Sequence, residues 1–163
     1  MVIRSEADGL EVMPRKISKF LGEPLGKCAI LPLTVLYTDA WRSLNSSAQA
    51  LFPWLIMEFK GTKYNNNGKI CLSVRQAAER MRVARDTAAK AFQDLQAKGF
   101  IIVRKGGSLG IEGHGKCPEY EITSIVTPTG PASQLFKQWS AGNDFHVFKH
   151  AVKNPKGKNK SLS

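Results

Sequence analysis

The most regular pattern of apolar and polar positions in the chain lies between Leu72 and Phe100, LSVRQAAERMRVARDTAAKAFQDLQAKGF. Val74, Ala77, Ala78 and Met81 recur at i, i+3, i+4 and i+7, an apolar stripe of helical period. Ser73 stands before it as an N-cap, and Gln76 three positions on completes a capping box. A second stripe, Ala84, Ala88, Ala91, Phe92 and Leu95, predicts another helix over residues 85–98. Gly99 stops it, with Lys98 in the last turn, where a cation complements the helix dipole. Only Arg82, Val83 and Ala84 separate the two patterns, so the helices must cross steeply.

Upstream, AILPLTVLYTDAW is apolar, and Pro32 with its β-branched neighbours predicts a short extended piece. Thr34 or Thr38–Asp39 then starts a short helix that takes Trp41 and Leu44 into the core. Asn45, Ser46 and Ser47 form a capping cluster ahead of AQALFPWLIMEFK, where Leu51, Trp54, Leu55 and Met57 have roughly helical spacing. Pro53 inside that run predicts a kink rather than a break. Residues 61–68, GTKYNNNG, are a loop by composition, and residues 69–72 read as a short strand with Cys71 buried.

After Gly99, FIIVRKG has strong β-propensity. GSLGIEGHGK is a glycine-rich excursion, and CPEYEIT returns as a second strand, Tyr120 and Ile122 alternating with Glu119 and Glu121. The two strands predict an antiparallel hairpin directly behind the second helix. Residues 1–28 read as a partly disordered N-terminal extension, and residues 29–124 as the folded domain. Residues 125–144 carry Pro128, Gly130 and Pro131 and read as a linker with a short helix capped by Ser133. The apolar Leu135, Phe136 and Trp139 on it pack either back on the domain or against a partner.

Charge adds the kind of partner. The chain has 163 residues, 42% of them hydrophobic, and a formal net charge of +11 that is unevenly placed. Residues 69–123 hold ten basic and six acidic side chains; residues 145–163 hold five lysines and no acid. That footprint suits a polyanion, and nucleic acid is the commonest one. Lys149, Lys153, Lys156, Lys158 and Lys160 read as a disordered basic tail, residues 145–163, that adds nonspecific affinity. Cys28, Cys71 and Cys117 are odd in number and far apart, which suggests a reducing compartment rather than a disulfide framework. The first residues carry acids and no apolar run, unlike a signal peptide. No stretch approaches the roughly eighteen continuous apolar residues of a membrane span. The expected location is the cytoplasm, at the nucleoid when bound to DNA, with no membrane partner.

Two helices joined by a three-residue turn form a helix-turn-helix, whose second helix can lie in a DNA major groove. The segment from about Ala48 to Thr123 resembles winged helix-turn-helix domains in its LSVRQAAERMRVARDTAAKAF core, its LQAKGFIIV link and its glycine-rich loop. Arg85, Thr87, Ala91, Leu95 and Gly99 match the spacing of repressors of that kind. The upstream ILPLTVLYTDAWRSLNSSAQALF resembles small regulators and replication-associated proteins of bacterial plasmids and other mobile elements. The sequence departs at Ala84, where many relatives have a Ser or Thr cap, and at Ala89, where many have Arg. The expected fold is mainly α with a small β-hairpin, a winged helix-turn-helix of the α+β class.

The candidate contacts follow from that arrangement. Arg85 can pair bidentately with a guanine, Lys90 can reach guanine or phosphate, and Asp86 can accept from a cytosine amine or orient Arg85. Thr87 is the right size for a phosphate contact. Ser73 with the first amides of its helix, and Arg75 and Arg82 as clamps, suit the backbone. Arg104, Lys105, His114 and Lys116 bracket the loop 104–117, which can lie along the backbone or minor groove. Solvated charge and simple capping account for several of these positions equally well.

Enzymatic patterns are thin. His114 and Cys117 have H-x-x-C spacing with Cys71 as a third donor, short of the four ligands of a structural zinc site. There is no phosphate-binding G-x-x-x-x-G-K-[ST] loop and no nucleophile paired with a base. The expectation is therefore a protein that is not an enzyme, with no metal, no cofactor and no evident small-molecule effector. It would be a sequence-specific double-stranded DNA-binding transcriptional regulator, a repressor that occludes a promoter, with a homodimer possible. The alternatives are a plasmid replication-initiation or maintenance factor on origin DNA, and a winged-helix adaptor between proteins.

Overall fold

The computed structural model describes residues 28–108 and 115–148. Residues 28–30 go with the segment before them, and the fold below is that of the chain from Leu31 onward. The described residues form an α+β protein of five α-helices and one three-stranded antiparallel sheet. In chain order these are α1 (Leu33–Leu36), α2 (Asp39–Arg42), α3 (Ser46–Met57), β1 (Ile70–Cys71), α4 (Val74–Met81), α5 (Arg85–Ala97), β2 (Ile101–Lys105) and β3 (Glu119–Ile122). The expected hairpin of β2 and β3 is one side of a sheet in which β1 adds to the far edge of β3. Ile70 and Cys71 face Tyr120 and Glu119; Ile101, Ile102 and Val103 face Ile122, Glu121 and Tyr120. No described helix is long and apolar enough to cross a membrane.

Local chemistry sets the helix ends. The Asn45 side chain accepts from the Ala48 N–H at 2.8 Å and starts α3, which runs through Pro53 without a break. Ser73 Oγ accepts from the Gln76 N–H, and Gln76 Oε1 accepts from the Ser73 N–H, so the expected capping box forms. At the end of α5, Gly99 has φ +76°, and the Phe100 N–H reaches back to the Leu95 carbonyl. A side chain at Gly99 would also sit 2.7 Å from the Phe145 ring.

Two upstream expectations are corrected. Residues after Pro32 are helical, not extended: the Pro32 carbonyl accepts from Val35 and Leu36, and its fixed φ opens α1. On α3 the buried stripe is Ala48, Leu51, Phe52 and Leu55, so Trp54 lies outside it, exposed beneath the Arg80 guanidinium.

The core lies where α5 packs on α3 and α4 and where the sheet closes beneath them. Ala77, Ala78, Ala88, Ala91, Phe92 and Leu95 bury the helix pair, whereas Ala84, grouped with them by period, is exposed. Trp41 sits edge-on to Phe52 and to Phe100, both at 5.7 Å. Tyr120 stacks on Phe92, and burial pushes its phenol well above the ordinary tyrosine range, so it stays neutral. Asn67, buried, ties the asparagine loop to the sheet by accepting from the Ile122 N–H and donating to the Ile122 and Ile125 carbonyls.

Residues 125–144 are not a linker. They pack back on the domain as a strap that continues to Phe148. Phe136 is 2% exposed and stacks on Phe100 at 4.9 Å. Its short helix is a 3-10 turn, Leu135–Lys137, preceded by Gln134 in the left-handed region rather than by a Ser133 cap. The Phe145 N–H donates to the Ala97 carbonyl and the Phe148 N–H to Gln96 Oε1. The tail expected from residue 145 thus begins no earlier than 149, and residues 149–163 lie outside the described part, as do residues 1–27.

Candidate nucleic-acid interface

The turn between α4 and α5 is set by Arg82. Its φ is +54°, and the Val83 N–H bonds the Ala78 carbonyl, which closes α4 in the way a glycine usually does. Ala84 follows in extended backbone and begins α5 with no side-chain cap, as its chemistry dictates. The first-turn amides of α5 therefore have no side-chain acceptor among the described residues, and Asp86 supplies the negative charge that end favours.

On α5 the exposed positions are Arg85, Asp86, Lys90 and Gln93, with Thr87 and Ala89 half-buried beside them. Arg82, Arg85 and Lys90 enter no ion pair among the described residues. The open face ends there. Leu95, Gln96 and Ala97 are buried, and the strap bonds to Gln96 and Ala97. Asp94 accepts from the Asn45 N–H at 2.8 Å and pairs with Lys98, whose ammonium lies over the Trp139 ring. The N-terminal two and a half turns of α5 are what remains accessible.

The other candidates divide. Arg75 is exposed and only 3.9 Å from Glu79, a loose pair on the surface of α4. The Ser73 hydroxyl is engaged with Gln76 on both its donor and acceptor sides. On β2, Arg104 is held to the β3 residue Glu121 by Nε at 2.8 Å and a terminal nitrogen at 2.6 Å; the Glu121 side chain is 6% exposed. Lys105 stands 3.9 Å from Glu119. Lys116 is exposed, its backbone bridged to Ser108. His114 lies outside the described residues. The chain thus brings Arg82, Arg85, Asp86, Thr87 and Lys90 onto one turn and helix start, while Arg104 and Lys105 answer acids of their own sheet.

One feature escaped the sequence. Cys71 is exposed, not buried, and is bonded to Cys117 with Cα atoms 5.9 Å apart. The expectation of three unbridged cysteines fails because β1 pairs with β3, a contact across 46 residues that no local pattern announces. Cys28 is free and exposed. The bond joins two of the three donors of the sparse metal set to each other. Comparison with protein-family models, with curated proteins and with solved structures finds no significant match.

Proposed function

We propose that the domain is a winged helix-turn-helix that binds double-stranded DNA, with α4 and α5 as the helix pair and the loop after β2 as the wing. The observation that carries the reading is the basic cluster of Arg82, Arg85 and Lys90, without an ion pair among the described residues, on the α4–α5 turn and the open first half of α5. A helix that enters the major groove contacts bases through its N-terminal residues, and that is the end the strap leaves uncovered. Arg85 and Lys90 are the base-reading residues of this proposal, with Asp86 between them as acceptor or orienter. Arg75, Arg82 and the first amides of α5 meet phosphates. Arg104 and Lys105 act through the backbone field from the stem of the wing rather than as free arms, since acids of β3 hold them.

The role that fits best is a transcriptional regulator that occludes a promoter. Selecting bound sequences from a random duplex pool tests it. A single palindrome supports a dimeric repressor, a repeated array supports an origin-binding factor, and no enriched motif overturns both. Arg85→Ala with Lys90→Ala should remove specific binding, by about 2–6 kcal/mol for two base contacts, while the fold persists. Unchanged DNA binding together with loss of a protein partner would support the protein-adaptor reading instead.

A further inference from the structure

The Cys71–Cys117 bond connects the two sides of the proposed interface. Cys71 ends β1 two residues before the Ser73 cap of α4; Cys117 lies two residues before β3, on the returning limb of the hairpin loop. β1 does not depend on it. Ile70 and Leu72 are fully buried, and Ile70 and Cys71 are paired with Tyr120 and Glu119. The limb is held more lightly. Beyond Glu119 it has the Ser108–Lys116 backbone pair, at 2.8 and 3.0 Å, and the packing of Pro118. The β2–β3 register already breaks between Val103 and Lys105. Among the described residues the disulfide is the one covalent tie from this limb to the start of α4.

We propose that this bond is a redox-labile clip that holds the returning limb, residues 115–118, to the start of α4, opened by a dithiol reductant. Cys71 is exposed and Cys117 half-buried, which assigns the attack of the incoming thiolate to Cys71. It forms a mixed disulfide there, and Cys117 leaves as a thiolate that takes up a proton. The second thiol of the reductant then attacks its own sulfur in the mixed disulfide and releases Cys71 as a thiol. Two electrons and two protons pass to the cysteine pair, and the reductant leaves as its disulfide. The opened limb keeps the Ser108–Lys116 bridge and the packing of Pro118 but no covalent tie, so residues 115–118 are held less firmly relative to α4. The effect on DNA rests on the function proposed above; the loosening does not.

The test uses the full chain with Cys28→Ser, which removes the third thiol. Dithiothreitol at neutral pH should open the bond in the folded protein, read as two alkylated cysteines by mass; opening only in denaturant overturns the clip. Hydrogen exchange of the bonded Ser108 and Lys116 amides should then rise about tenfold, with residues 101–103 and 120–122 unchanged. Adding Cys71→Ser should give the fast exchange with or without reductant. Equal exchange in the oxidised and reduced chains, or loosening that spreads through the core strands, overturns the clip as a local device. On a selected duplex the oxidised chain should bind several-fold tighter than the reduced one, because a tethered limb pays less ordering entropy. A bound duplex held equally in both states ends the regulatory part, whereas no binding in either state counts against the DNA reading, and the exchange result still decides the clip.

Discussion

Arg82 is the residue at which fold and proposed function pull apart. A non-glycine residue at φ +54° is strained by the approach of its Cβ to the backbone, at a cost of roughly 1 kcal/mol. Glycine is the usual occupant of such a position, and the Arg82 side chain makes no hydrogen bond, ion pair or ring contact among the described residues. Strain retained beside an open, unpaired guanidinium fits a residue kept for what its side chain meets. Arg82→Gly should therefore stabilise the protein by about 0.5–1 kcal/mol, somewhat less than the strain because glycine also loosens the unfolded chain. The urea midpoint should rise while affinity for a selected duplex falls. A lower midpoint would mean that the arginine side chain supports the fold instead. Ala84 is the opposite case at the same turn: the missing cap could be read directly from the sequence, because alanine has no acceptor to offer.

At the scale of elements, the helix pair was legible and its setting was not. Ser73, Gln76 and Gly99 act on residues within five positions of themselves, so their spacing sufficed to place α4 and α5. The β1–β3 pairing, the disulfide and the strap are contacts between distant segments, and composition misled at the strap, where Pro128, Gly130 and Pro131 resemble a linker. Phe136 shows the reason: an apolar residue in a proline-rich stretch is as buried as the strands because it completes the stack on Phe100. The candidate site was legible in outline, since Arg82, Arg85 and Lys90 do lie together, but the sequence could not show that Arg104 is held by Glu121. Phe136→Ala should destabilise the protein by about 3–4 kcal/mol in urea unfolding, the cost of a cavity at a closed site. It should loosen the end of α5 under the strap and leave the open residues 85–93 in place. Duplex affinity, measured well below the midpoint, should then change less than it does for Arg85→Ala; a larger loss would mean that the strap positions the reading face.

For the whole molecule the governing quantity is charge. Of the positive charge behind the net +11, Arg82, Arg85 and Lys90 lie on the open face with no ion pair among the described residues, and five further lysines stand in the sequence between residues 149 and 160. Local pairs hold Arg80, Lys98 and Arg104, which therefore add little to a long-range field. If binding neutralises six or more phosphates, released counterions make affinity fall roughly a thousandfold between about 50 and 200 mM salt. The share of the tail can be separated from that of the domain, because each neutralised phosphate contributes about 0.9 to the slope of log affinity against log salt. Replacing Lys149, Lys153, Lys156, Lys158 and Lys160 by glutamine should lower that slope by up to about 4.5 without altering which duplex is preferred. Arg85→Ala should do the reverse, relaxing the preference at a cost of about 1–3 kcal/mol while leaving the slope nearly unchanged. A slope unmoved by the five tail substitutions would confine the contact to the folded domain, and a flat salt response in the unaltered chain would remove the electrostatic basis for binding DNA at all.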